Sequence, residues 1–253
     1  MQNVPRSNQK TVLISGAATG IGRATAMRLA RDGFFVCLDY KNESSSKELK
    51  SLKKELDSIS AKYLPIKADI TLDTDVKKMV SLIKKERGAL DALINNAAIS
   101  KIQSIAKFQL DEWDEVLRTN LTSAALLTKE CLPLLKKTKT PRIIFIGSMG
   151  FFKGSAGRLA YTVSKGGVLG LCRSLAHELA PKFLVNAIIP GYINTDMLHK
   201  FRVEPTDSQL KRILLKRYGE PEDVAGAVSF LCSKDASYIT GQSIHINGGA
   251  YLS

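Results

Sequence analysis

The sequence of 253 residues predicts an α/β protein, a doubly wound parallel sheet of about seven strands with helices on both faces. Three observations point there. Short apolar runs rich in β-branched residues alternate with longer segments of helical periodicity. A glycine-rich turn joins the first such run to the first helical segment. No internal repeat, low-complexity tract or linker divides the chain, so residues 1–253 are read as one domain, with 1–9 as a frayed polar terminus.

The strands are expected in order at Thr11 to Ser15, Phe34 to Asp39, Tyr63 to Lys67, Leu90 to Ile94, Ile143 to Gly147, Leu184 to Ile189 and Ser243 to Ile246. Helical segments fill the intervals: Ile21 to Arg31, Ser46 to Ile59, Asp73 to Arg87, Leu110 to Lys136, Ala160 to Leu179 and Pro221 to Leu231. Pro133, which lacks an N–H, is expected to interrupt or end the fourth of these. The stretch from Thr195 to Gly219 holds no clear strand and reads as a short helical insertion near the carboxyl ends of the strands, the edge where open α/β sheets bind ligands.

Composition excludes several classes of protein. Hydrophobic residues make up 44% of the chain, enough for a full core, yet no apolar run approaches the roughly 20 residues a membrane span needs. The polar residues 1–10 hold no apolar stretch of the secretory kind, and a cytoplasmic location is expected. Cys37, Cys131, Cys172 and Cys232 stand singly inside apolar segments, which suits reduced core thiols. With only His177, His199 and His245, and none at ligand spacing, no metal site is expected.

The net charge of +13 raises the question of a polyanionic partner. Most of it lies on helix faces: Lys47, Lys50, Lys53 and Lys54 interleave with Glu48, Glu55 and Asp57, and Lys77, Lys78, Lys84 and Lys85 follow the same pattern. No basic segment alternates with aromatics as a nucleic-acid stacking surface would. Two tighter clusters remain, Lys136, Lys137, Lys139 and Arg142, and Lys211, Arg212, Lys216 and Arg217.

Two constellations carry chemistry. In Gly16-Ala17-Ala18-Thr19-Gly20-Ile21-Gly22 the glycines permit a tight turn and close approach to a pyrophosphate, and the helix that follows offers its free N–H groups to the anion. After the second strand, Asp39, Tyr40 and Lys41 read cofactor choice: an acid there favours NAD, a base favours the extra phosphate of NADP. Lys41 tips the reading toward NADP(H), with NAD(H) possible and a solvated loop lysine as the alternative. The second constellation is Tyr161 and Lys165, one helical turn apart, with Ser148 just past the fifth strand. A nearby cation favours the phenolate and lowers a phenol's pKa from about 10. A hydroxyl such as Ser148 can then hold a carbonyl oxygen within reach of the phenol. Taken alone, Tyr-x3-Lys equally fits a half-buried aromatic beside a solvated lysine.

The order of these motifs, together with Ala68-Asp69-Ile70, Asn95-Asn96-Ala97-Ala98, Asn120, Pro190-Gly191 and Asn247-Gly248-Gly249, resembles the short-chain dehydrogenase/reductases from about residue 9 to the C-terminus. The resemblance implies a Rossmann-type sheet and a set of roles. Tyr161 would be the general acid, Lys165 would lower its pKa and hold the nicotinamide ribose, Ser148 would orient the substrate carbonyl, and Asn120 would fix a relay water. Asp69 and Ile70 would flank the adenine, Asn96 and Ala97 would pass beneath the cofactor, and Ile193 and Thr195 would touch the nicotinamide carboxamide, with Pro190 and Gly191 beside them. Ala98 departs from the glycine usual at that place, and its methyl is tolerated where φ is negative.

Within the family, Arg217 to Ala225 and Tyr238 to Gly249 are most similar to the 3-oxoacyl-acyl-carrier-protein reductases of fatty acid synthesis. That likeness implies reduction of a 3-oxoacyl thioester and an acidic carrier protein, with Lys139 and Lys182 as candidate docking contacts or ordinary surface charges. It also implies a homotetramer built on the helix pair Leu110 to Lys136 and Ala160 to Leu179. The alternatives are an NAD-dependent dehydrogenase of a small alcohol, sugar or steroid, and a catalytically silent dinucleotide-binding protein with a basic interaction surface.

Overall fold

Strand register organises the molecule. In this computed structural model, which describes residues 9–41, 46–200 and 207–252, every strand pairs in parallel and the order across the sheet is β3-β2-β1-β4-β5-β6-β7. The strands are β1 (Thr11–Ile14), β2 (Phe35–Tyr40), β3 (Tyr63–Lys67), β4 (Ala92–Asn95), β5 (Arg142–Ile146), β6 (Leu184–Pro190) and β7 (Ser243–Ile246). Chain order reverses between β1 and β4. That reversal opens a crevice at the carboxyl edge of the strands.

Successive side chains on a strand point to opposite faces, and the core obeys this period. Leu13, Ile143 and Phe145 face one layer, built by α3 (Asp73–Arg87), α5 (Ser123–Leu135) and α7 (Leu159–Glu178) through Met79, Leu127, Cys131, Leu169 and Cys172. Val12, Ile14, Ile144 and Ile146 face the other, built by α1 (Gly20–Arg31), α2 (Ser46–Ser58) and α10 (Pro221–Cys232) through Leu29, Leu52, Leu56, Val228 and Leu231. Both faces are apolar because both are covered, so Val12 to Ile14 of β1 and Ile143 to Ile146 of β5 read as unbroken hydrophobic runs. All four cysteines are free and buried in these layers. Burial pushes the Cys37, Cys172 and Cys232 thiols up to about 12.

Most element ends lie within one residue of the sequence expectation, and three larger differences stand out. The fourth strand begins at Ala92, because Asp91 is spent on a turn: its carboxylate accepts the Thr11 N–H at 2.9 Å and its carbonyl accepts the Arg142 N–H at 2.9 Å. The segment from Leu110 is not one helix. It is α4 (Leu110–Leu117), a π-helical turn at Arg118–Thr122, and then α5. Pro133 does not break α5, which runs on to Leu135. So near the helix end the proline forfeits a single N–H bond, and the Lys136 N–H bond to the Leu132 carbonyl closes the terminus. Two short helices, α6 (Gly150–Lys153) and α8 (Asp196–Lys200), lie beside the crevice, and α9 (Asp207–Arg212) follows in the expected insertion. The insertion is tied at its base, where Asn194 donates to the Gly219 carbonyl and Gly219 to that of Tyr192, at 2.8 and 2.9 Å. Among the described residues, no helix is long and apolar enough to cross a membrane.

Candidate active site

A cleft of about 400 Å³ occupies the crevice. One end is walled by the turn between β1 and α1. Gly16 has φ +63, which favours glycine, and a Cβ on Gly22 would stand 2.1 Å from the Gly16 carbonyl oxygen. The turn is held from β4: Asn96 Nδ2 donates to the carbonyls of Ser15 (2.9 Å) and Gly16 (3.1 Å), while Ser15 Oγ accepts the N–H groups of Asn96 and Ala97 at 3.0 Å each. Thr19, the residue before α1, makes no side-chain cap, so the first N–H groups of a 12-residue helix face the cleft. Ala98 has no positive φ, and its methyl is accommodated there.

The same end buries a carboxyl. Asp39 is 3% exposed and lies on the cleft wall. Its Oδ2 accepts the Gly16 N–H at 3.1 Å, while Oδ1 is buried with no partner. Burial raises its pKa to about 7, against the pull of the Gly16 hydrogen bond, and the Asp69 charge adds to the rise. Lys41 sits at the rim with its ammonium 2.8 Å from Asp69. Burial alone would raise the Asp69 pKa, but the hydrogen bonds from Lys41 and Thr71 bring it below the usual value.

The other end is walled by side chains from β5, α6, α7 and the loop after β6. Ser148 follows β5, and its hydroxyl shares the cleft wall with that of Tyr161, on the first turn of α7, near enough to hold the phenol's pKa down. Lys165, one turn on, is 3% exposed. Its ammonium donates to the Ile146 carbonyl at 2.7 Å and lies 5.8 Å from the centre of the Tyr161 ring. Burial lowers the Lys165 pKa to about 8. Burial also raises that of Tyr161, opposed by the Ser148 hydroxyl and the positive charge of Arg158. The positive charge of Arg158 thus acts on the phenol beside Lys165, whose ammonium gives one of its three N–H groups to Ile146.

The cleft wall brings together Gly16, Thr19, Gly20, Ile21, Asp39, Lys41, Asp69, Ile70, Asn96, Ala97, Ala98, Ser148, Tyr161, Lys165, Pro190, Gly191, Ile193 and Thr195. Four expected residues are not on that wall. Ala18 is core, strand alternation turns Tyr40 to the α1–α2 layer, and Gly22 serves the close packing of its own turn. Asn120 is 2% exposed inside the π-helical turn. It clamps Ile99 through both backbone groups, at 2.8 and 2.9 Å, and donates to Ser164 Oγ at 3.0 Å. Ile99 does line the cleft, so Asn120 acts on the wall from behind. Lys139 and Lys182 precede β5 and β6, at the edge of the sheet opposite the cleft, and both are exposed. They are not part of the rim of this chain's own cleft. Besides Lys165, the cations on the side-chain end are Lys153 and Arg158. Neither belongs to a motif, although Arg158, three residues before Tyr161, sits at a spacing that shares a helix side.

The arrangement can hold an extended anion against a glycine turn and set a pair of hydroxyls on one oxygen atom. Known proteins are similar to the chain along nearly its whole length. Residues 16–251 match the family described as Enoyl-(Acyl carrier protein) reductase. The 3-oxoacyl-acyl-carrier-protein reductase FabG of Staphylococcus epidermidis is 35% identical over 244 residues, which cover 96% of this chain and 99% of that protein. Its counterpart in Thermotoga maritima is 35% identical over 98% and 100% of the two chains, and that of Aquifex aeolicus 37% identical over 96% and 97%. A solved structure titled short-chain dehydrogenase/reductase, glucose/ribitol dehydrogenase, from Brucella melitensis superposes with a TM-score of 0.90. It is 31% identical and covers 100% of both chains.

Proposed function

We propose that this chain, which belongs to the short-chain dehydrogenase/reductase family, reduces the 3-keto group of an acyl thioester to the alcohol with a nicotinamide dinucleotide. The observation that carries the reading is the meeting of Ser148, Tyr161 and the buried Lys165 on one wall of a cleft whose other end is a glycine cradle. That cradle fits a dinucleotide: its carbons leave no room for a Cβ, its helix N–H groups are uncapped, and the orphan Asp39 Oδ1 offers an acceptor beside it. The bound cofactor supplies the hydride.

The protein's own residues do the rest. Gly16, Thr19, Gly20 and Ile21 take the pyrophosphate, Asp69 and Ile70 border the adenine, and Ala97, Ala98, Pro190, Gly191, Ile193 and Thr195 border the nicotinamide. Ser148 and Tyr161 hold the keto oxygen, and as hydride reaches the carbon Tyr161 gives up its proton to that oxygen. Lys165 stands at the phenol's side, poised between charged and neutral near pH 8, and refills the proton. Asn120 positions Ile99 on the cleft wall. Two hydroxyls converging on one atom suit a carbonyl oxygen, which supports keto reduction over reduction of a carbon–carbon double bond. Lys41 at the adenosine rim supports a preference for NADP(H), its ammonium passing from Asp69 to the extra phosphate.

An acidic carrier protein fits the net charge of +13. Cytoplasmic placement and a homotetramer on α4, α5 and α7 complete the reading, supported by apolar side chains left exposed there, Leu110 at 60% and Val163 at 48%. The dehydrogenase from Brucella melitensis supports a second reading, oxidation of a polyol with NAD. Turnover of acetoacetyl-carrier protein with NADPH and NADH, beside a polyol panel, separates the two. Thioester reduction with NADPH favoured about tenfold or more is expected, and activity confined to polyols would overturn the proposal.

A further inference from the structure

The hydrogen bonds behind the cleft wall do not stop at Asn120. Its Nδ2 donates both to the Ile99 carbonyl (2.9 Å) and to Ser164 Oγ (3.0 Å), and the Ser164 hydroxyl donates in turn to the Tyr161 carbonyl at 2.7 Å. The series thus begins at Ile99 on the cleft wall and ends on the backbone of Tyr161. Ser164 is fully buried and is no part of that wall. Nothing in the series is left over: Asn120 Oδ1 accepts the Ile99 N–H at 2.8 Å, and the Ser164 oxygen both accepts and donates. The packing around it is equally close. A Cβ on Gly167, three residues after Ser164 and on the same helix side, would stand 2.6 Å from Leu121 Cδ2 of the π-helical turn, so α7 meets that turn through a serine and a glycine. A Cβ on Gly166 would meet the Phe151 ring of α6 at 2.6 Å, which wedges the start of α7 between two elements.

A serine inside a helix commonly bonds back to a carbonyl three or four residues earlier, and such a bond alone is a local matter. At Ser164 it has a second end. Because Asn120 holds the serine oxygen from the π-helical turn, the Tyr161 carbonyl is tied to the cleft wall and not only to its own helix. Lys165 follows Ser164 directly, so the turn of α7 that is tied carries both the phenol and the ammonium. A buried polar network with every member satisfied is rigid. Proton transfer in a transition state depends on such rigidity, since a displacement of about 1 Å can cost about 100-fold in rate. Resting on the functional reading above, we propose that Ser164 is a positioning residue for the reduction: it locks the first turn of α7 onto the π-helical turn, so that the Tyr161 phenol stays beside Ser148 where the keto oxygen binds. Ser164 acts through Tyr161 and touches neither substrate nor cofactor.

The test is single-turnover reduction of saturating acetoacetyl-coenzyme A by enzyme loaded with the reduced nucleotide it prefers, followed by the loss of nicotinamide absorbance. Wild type, Ser164→Ala, Asn120→Ala and the double variant are compared. The rate constant reports the geometry of the folded molecules, and the amplitude reports how many are folded. Ser164→Ala is expected to lower the rate constant about tenfold to a hundredfold, with nucleotide affinity within about threefold of wild type. In the Asn120→Ala background the same change is expected to cost less than about threefold, because the series is already cut. A Ser164→Ala rate constant within about threefold of wild type overturns the inference, even if the amplitude or the melting temperature falls, since the serine then serves the fold alone. A cost of the same size in both backgrounds overturns it too, since the effect would not pass through Asn120. Should Ser164→Ala not fold, Ser164→Cys weakens both hydrogen bonds with a side chain of similar shape and reads the same rate constant. A wild type inert on acetoacetyl-coenzyme A with either nucleotide would sink the functional reading itself. A wild type active there, with a rate constant indifferent to Ser164, would sink this inference alone.

Discussion

The two halves of the cleft are made of different material. The half with the glycine turn is mostly backbone: free N–H groups, carbonyls held by Asn96, and carbons that admit no side chain. The half around Tyr161 is mostly side chains, brought from β5, α6, α7 and the loop after β6. Yet both halves bury ionisable groups at a cost. Asp39 has its pKa raised to about 7 and Lys165 has its lowered to about 8, both by burial. Folding unaided would avoid both groups, so each marks a place where stability is given up for what the cleft does.

The largest effect that sharpens this contrast is on turnover. Tyr161→Phe removes a proton donor and leaves the glycine turn untouched, so steady-state kinetics should show kcat lower by about 10²–10⁴-fold, with nucleotide affinity within a few-fold of wild type. Substantial residual turnover would mean that the side-chain half does not do the proton chemistry.

Next is Lys165→Met. A lysine whose folded pKa lies near 8, against 10.5 when free, binds fewer protons folded than unfolded between those values. Stability therefore rises with pH across that window, and the burial cost is fully present below pH 8. The methionine variant should lose turnover yet unfold later in a neutral thermal melt, by about 1–3 kcal/mol, with the gain fading as pH rises from 8 toward 10.5. A variant less stable than wild type at pH 7 would show that the bond to Ile146 outweighs the desolvation of the ammonium.

Asp39→Asn is the smallest and has the opposite sign in pH. A carboxyl with its pKa raised from 3.8 to about 7 holds more protons folded than unfolded in that range, so wild-type stability falls as pH rises through it. Asparagine keeps an acceptor for the Gly16 N–H. Melts should show little difference at pH 4 and a gain of about 1–2 kcal/mol for the variant at pH 8, the orphan amide offsetting part of the relief. A gain independent of pH would break the comparison between the halves.

The same difference in material explains what could be read from the chain alone. Backbone cradles need glycine, and glycine at Gly16, Gly20 and Gly22 is visible in a string of letters together with the helix it precedes. The parallel sheet is legible for a similar reason, since strands covered on both faces carry unbroken apolar runs, as in Val12 to Ile14 of β1 and Ile143 to Ile146 of β5. The π-helical turn is not legible. Thr119, Asn120 and Thr122 are weak helix formers, but weak propensity does not specify an extra residue per turn, and the clamp of Asn120 on Ile99 within that turn is a contact across 21 residues. Arg158 escaped for another reason: its charge matters through Tyr192 as well as Tyr161, and only the folded sheet brings those phenols to one cation. Lys139 and Lys182 were placed by likeness, and strand direction puts them at the opposite edge.

The four solitary thiols make a convenient set of sentinels. Cys37, Cys131 and Cys172 lie in one hydrophobic layer and Cys232 in the other, each shielded and scarcely ionised. A maleimide dye can reach them only when the covering helices lift away. Three reporters on one side and one on the other therefore tell whether the two layers part from the sheet together or in turn.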